Sequence, residues 1–164
     1  MIMADYIWQL GIDWNAIQTG GVGYLRGGLT RADGVALPGT EPVHPGDQIT
    51  FRIFDVSSSV PPVPPPGRCV AGIGSFGIDS QGAVMDQPSE NPLSKTRPTL
   101  ASSTASEQSS LFGNAHCSWD MEPVTVTATS GRRFLLTVYL QATGLDNVVR
   151  LFSHDPEMII GEHG

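Results

Sequence analysis

Polar and apolar residues alternate along YIWQLGIDW, residues 6–14, so that Tyr6, Trp8, Leu10, Ile12 and Trp14 share one face. A period of two with aromatic and β-branched residues predicts a strand, because successive side chains of an extended backbone point to opposite faces. The pattern returns in HPGDQITFRIFDV (44–56), a Pro-Gly turn and then a strand with Ile49, Phe51 and Ile53 on one face. CVAGIGSFGI (69–78) reads as a glycine-spaced strand. In the last third, PVTVTATS (123–130), FLLTVYLQA (134–142) and VVRLFSHDPEMIIGE (148–162) are strand runs separated by the turn sequences SGRR and TGLDN. The final run is broken at Asp155-Pro156. Strand after strand without an intervening helix predicts an antiparallel meander. Over this length, about seven or eight strands imply an all-β, antiparallel β-sandwich.

Between these runs the periodicity changes. TGGVGYLRGG (19–28) predicts a turn or an irregular edge strand. VPPVPPPG (60–67) cannot lie in a central strand, since each proline lacks the ladder donor, and reads as an extended connector. From about 79 to 107 Ser, Thr, Gln and Pro replace the apolar rhythm, which predicts one long loop. Thr104 and Glu107 stand at capping-box spacing and predict one short helix near 104–111.

The chain's 164 residues fit a single domain spanning 1–164, large enough to bury a core. Nine Lys+Arg against a net charge of −7, with no basic run, argue against a nucleic-acid or anionic-membrane partner. No stretch has the apolar length of a membrane span, and MIMADYIWQLGID lacks the basic start and cleavage site of a signal peptide. The expectation is a cytoplasmic protein in which Cys69 and Cys117 stay reduced.

Three motifs suggest chemistry and do not hold it. GIGSFG (72–77) matches a dinucleotide fingerprint letter for letter, but no helical period follows it to receive a pyrophosphate. Ser75 lacks the glycine two positions before it that a nucleophile elbow requires, because residue 73 is Ile. GNAHCSWDMEP (113–123) gathers His116, Cys117 and Met121, side chains that bind copper. However, no histidine follows Cys117 before His154, and adjacent residues on a strand diverge. Alternation instead places Cys117, Trp119 and Met121 on one apolar face and His116, Ser118 and Asp120 on the other. No catalytic, cofactor-binding or metal-binding residue is assigned, and no enzyme activity is expected. Trp8 and Trp14 with Asp13, His154 and Asp155 form the candidate ligand-binding set, of the aromatic and acidic kind that holds sugars at the end of a β-sandwich.

The opening IWQLGIDWNAIQ resembles the start of AidA/PixA-type bacterial inclusion body proteins, an apolar strand ending in Asp and a short following segment. RRFLLTVYLQATGLDNVVRLFSHDPEMIIGE resembles that family's close, and HPGDQITFRIFDVS stands in the place of its Val-Gly-Asp strand. His154 occupies the position of the family's tryptophan before Asp-Pro. The resemblance implies a cytoplasmic, non-catalytic β-sandwich that self-associates or binds partners, and it brings no catalytic residues with it. The expected partner is another copy in a homo-oligomer. The alternative is a carbohydrate-binding, lectin-like module with a glycan as ligand.

Overall fold

The alternation of 6–12 becomes burial: Tyr6, Trp8, Leu10 and Ile12 all enter one apolar cluster from strand β1 (Asp5–Ile12). The computed structural model describes residues 3–13, 23–24, 26–37, 42–56, 69–78, 92–95, 98–127, 132–143, 149–154 and 157–161. Among these, every regular element is a strand, thirteen segments where seven or eight were expected. Some of the excess comes from two- and three-residue pieces. The predicted connectors at 60–67 and the first half of the 79–107 loop lie outside the described residues.

The first sheet runs β3 (Arg26–Arg31), β1, β4 (Gln48–Asp55), β9 (Cys117–Met121), β6 (Leu100–Thr104), with β10 (Val124–Thr125) also against β4. It is mixed, not antiparallel, because β1 and β4 pair parallel from Asp5↔Gln48 to Ile12↔Asp55. The chain path requires this. β3 returns antiparallel to β1 and ends with Arg31 opposite Tyr6. The connection then passes the start of β1 and enters β4 at the same end.

HPGD holds that crossing. The Asp47 amide donates to the His44 carbonyl at 3.1 Å, and Gly46 between them takes φ +94°, which a residue with a Cβ resists. The Asp47 carboxylate, 1% exposed, accepts from the Ala4 amide at 2.9 Å and the His44 amide at 2.8 Å. A buried carboxylate is tolerated because backbone donors satisfy it. Ile49, Phe51 and Ile53 of β4 then fall into the core, as their alternation requires.

The second sheet contains β13 (Glu157–Ile160), β11 (Arg132–Thr143), β12 (Val149–His154) and β2 (Gly23–Tyr24), with β5 (Cys69–Ile78) on the other side of β11. β12 and β13 keep one register against β11. Val138 faces His154, and three residues along each strand Leu135 faces Glu157, so the register before 155 continues after 156. β5 pairs with β11 in unbroken antiparallel register, with Gly77 opposite Phe134 and Gly72 opposite Tyr139. An aromatic across from a glycine offsets the glycine's weak strand preference. GIGSFG therefore lies inside a strand, not at a strand-to-helix turn. The meander of the last third is divided: β10 belongs to the first sheet and β11 to the second.

Val138, Met158 and Ile160 of the second sheet join the same cluster as the first-sheet residues. Each fully buried Leu, Ile or Phe there contributes about 1.5–3 kcal/mol. The expected 104–111 helix is absent among the described residues. Gln108–Ser110 (β7) instead folds back on Gly113–Ala115 (β8) as a two-stranded ribbon. Residues 101–107 are all exposed, so a helix there would have had no apolar face to dock. Parts of the second half of the 79–107 loop pair with the first sheet. Leu93 is buried and bridges Val126, and β6 pairs with β9.

Candidate functional site

The polar parity of the first sheet lines its outer face, and this face has two halves. Toward the ends of β1 and β4 it carries Gln9, Gly11, Phe54 and Ser118, and the ribbon covers it. The Leu111 amide donates to Gln9 Oε1 at 3.0 Å, and Gln108 Nε2 donates to Ser118 Oγ at 3.0 Å. Phe112 lies so close over Gly11 that an added Cβ would meet its Cδ2 at 2.7 Å. At this position the glycine is explained by a neighbour's approach, not by its own backbone. Phe54 and Ala115 are buried in this region, outside the main cluster.

Toward the starts of β1 and β4 the face is open as a groove of about 270 Å³. Arg52 and Asp120 lie in it with Thr50 and Gln48, and Asp5 and Ile7 of β1 line the side. Arg52 and Asp120 are direct register partners across β4 and β9. Their contact is bidentate, Nε to Oδ1 at 2.6 Å and Nη2 to Oδ2 at 2.8 Å. The Asp120 hydrogen bond raises the guanidinium pKa above its ordinary value, partly opposed by burial. A fork held this way has a fixed direction and still presents N–H donors and carboxylate lone pairs to a hydroxylated or amide ligand.

Of the sequence-based candidates, neither Trp8 nor Asp13 lines this groove. Trp8 is 4% exposed and stacks on Phe51 with ring centroids 5.7 Å apart, so its ring is unavailable as a surface platform. It packs in the core, as its sharing parity with Leu10 and Ile12 implies. Asp13 is partly exposed and follows Ile12, whose carbonyl accepts from the Val56 amide at 2.9 Å. His154 ends β12 opposite Val138. Trp14 and Asp155 lie outside the described residues. Arg52 and Asp120 were not singled out together because they are 68 residues apart. The available signal was weak: each is a charged residue at the polar parity of a strand whose other face is apolar.

Cys117, Trp119 and Met121 are buried in the core as their alternation predicts. Burial first, and the Asp55 charge second, push the Cys117 thiol up to about 12, so it carries almost no thiolate at neutral pH. Of the other parity, Ser118 does face away from the core, and it is buried there beneath Gln108. Among the described residues no group of three or more His, Cys, Asp or Glu could hold a metal ion. Among them also, no helix is long and apolar enough to cross a membrane.

No family model matches the chain, and no curated protein matches it. Among solved structures it is similar to the crystal structure of Lac15 from a marine microbial metagenome, at 14% identity and a TM-score of 0.30. The match covers 98% of this chain and 34% of that one. A likeness at this level carries no argument about fold or function.

Proposed function

We propose that this chain is a non-catalytic β-sandwich that works by association of its own copies, through the hydrogen-bonding edge of a sheet. The sandwich reading is supported by one apolar cluster shared between the two sheets. The observation that carries association is β5: ten residues without a charge or a proline, with no strand partner on its far side among the described residues. An edge of this kind presents unpaired backbone donors and acceptors to another chain. Placement among AidA/PixA-type inclusion body proteins, and with it a cytoplasmic location, belongs to the same proposal and rests on the terminal resemblances. Light scattering coupled to size-exclusion chromatography over a wide concentration range tests association. A mass that climbs above the 17.4 kDa of one chain supports it, and a constant monomer mass removes it.

The second reading is a glycan-binding module. The groove around Arg52 and Asp120 favours it, because paired planar polar groups suit vicinal hydroxyls. The core positions of Trp8 and Trp119 remove two of the three tryptophans from any stacking platform. A glycan array that stays silent with and without Ca²⁺ eliminates this reading.

A further inference from the structure

We infer that the groove over Arg52 and Asp120 takes a neutral, hydroxyl-rich ring, a saccharide without a charged substituent; this deepens the glycan reading above and rests on it. The floor of the groove is the outer parity of β4. Gln48, Thr50 and Arg52 are half-buried there, while Ile49, Phe51 and Ile53 point into the core. Three polar side chains therefore stand in one row on one strand, roughly 7 Å from each to the next. On one side β1 sets Asp5 opposite Gln48 and Ile7 opposite Thr50. On the other side β9 sets Asp120 opposite Arg52, and Pro123 follows between β9 and β10. The volume of about 270 Å³ lies at the small end of ligand sites, which suits a single ring better than a long chain.

Charge decides the class of ring. Among the residues lining the groove, all of them described, Arg52 is the one cation. Asp120 already neutralises it through hydrogen bonds of 2.6 and 2.8 Å. An anionic ligand would have to displace that carboxylate near the exposed Asp5 and against a net chain charge of −7. A cationic ligand would gain Asp5, whose exposure leaves the attraction screened by salt. Two adjacent hydroxyls need neither charge. One accepts from the guanidinium N–H groups that Asp120 does not engage, and its neighbour donates to a carboxylate lone pair. Thr50 lies one place along the row for a third hydroxyl. Ile7 and Pro123 offer carbon surface to the C–H groups of the ring.

Titrations followed by saturation-transfer NMR test this. The probes are the methyl glycosides of glucose, galactose and mannose, with glucuronic acid, galacturonic acid and glucosamine beside them. The wild-type chain should bind at least one neutral glycoside more tightly than the acids or the amine, and added salt should leave that affinity unchanged. Asp120→Asn keeps the shape of the side chain and frees Arg52. It should weaken the neutral glycoside about tenfold and strengthen the matching uronic acid, a reversal that lost packing alone would not produce. Thr50→Val leaves the ion pair intact and is the second variant should Asp120→Asn unfold the chain; it too should weaken binding. A wild-type preference for a uronic acid or for glucosamine would overturn the neutral class. If neutral glycosides bind and neither variant weakens them, this groove is wrong and the glycan reading survives. If no probe binds while an arrayed glycan does, the single-ring site falls and the glycan reading survives. If neither binds, both fall.

Discussion

Among the described residues β5 and β6 are both sheet edges, and they are held by different means. β6 is exposed along its whole length, so little apolar burial secures it. It pairs with β9, and a polar clasp fixes its start. The Glu122 amide donates to the Thr99 carbonyl at 2.7 Å, and the Glu122 carboxylate accepts from the Thr99 amide at 3.0 Å and Lys95 Nζ at 2.7 Å. β5 has no charge of its own and is secured by a ten-residue ladder with β11. A short, polar, irregular edge can face water indefinitely. A long, regular, uncharged edge is the kind that natural proteins cover or pair.

The comparison is broken most severely from the core. Trp119, 1% exposed on β9, lies on the strand that carries β6. Trp119→Ala should destabilise the fold by about 3–5 kcal/mol, chiefly through the cavity left behind. Thermal or denaturant unfolding measures the loss, and amide exchange should show β6 released before β5. Equal loss at both edges would mean that they are not separately supported.

A smaller effect is expected at the ribbon. Gly11→Ala forces a Cβ against Phe112 at 2.7 Å, and the overpacking should cost about 1–3 kcal/mol. Adding Phe112→Ala should recover part of it. Because the ribbon sits on the first sheet, neither variant should alter association. A change in oligomer mass would place the interface on this face and not at β5.

The smallest effect sharpens the picture of β6 alone. Lys95 first, and the Thr99 amide second, hold the Glu122 carboxyl below its ordinary pKa. A depressed carboxylate contributes stability that is fully present above the unfolded-state pKa of about 4.3 and disappears as pH falls through the lower folded value. Glu122→Gln should remove that pH dependence and speed exchange at Leu100–Thr104, with little change in global stability. An unchanged exchange rate there would mean that backbone pairing with β9 suffices.

Local alternation made much of this architecture legible. Period two in 6–12, 48–55 and 117–121 identified the core faces of β1, β4 and β9 residue by residue, because burial of one face imposes that period on a strand. Pairing partners were not legible. The parallel β1–β4 contact depends on where the chain crosses, and the ribbon's seat on Gly11 depends on Phe112, which is about a hundred residues away. The groove was hidden for the same reason: Arg52 and Asp120 meet only once β4 and β9 are adjacent. Trp8 stood in the candidate ligand set although its parity with Leu10 and Ile12 already pointed to the core, where the structure places it.

Hydrogen exchange of the wild-type chain at low and high protein concentration, compared between β5 and β6, separates an edge that pairs between copies from one that stays in water. β5 amides should gain protection as concentration rises, while those of β6 exchange at the same rate throughout. Protection that rises at β6 and not at β5, or at neither edge, would contradict this expectation.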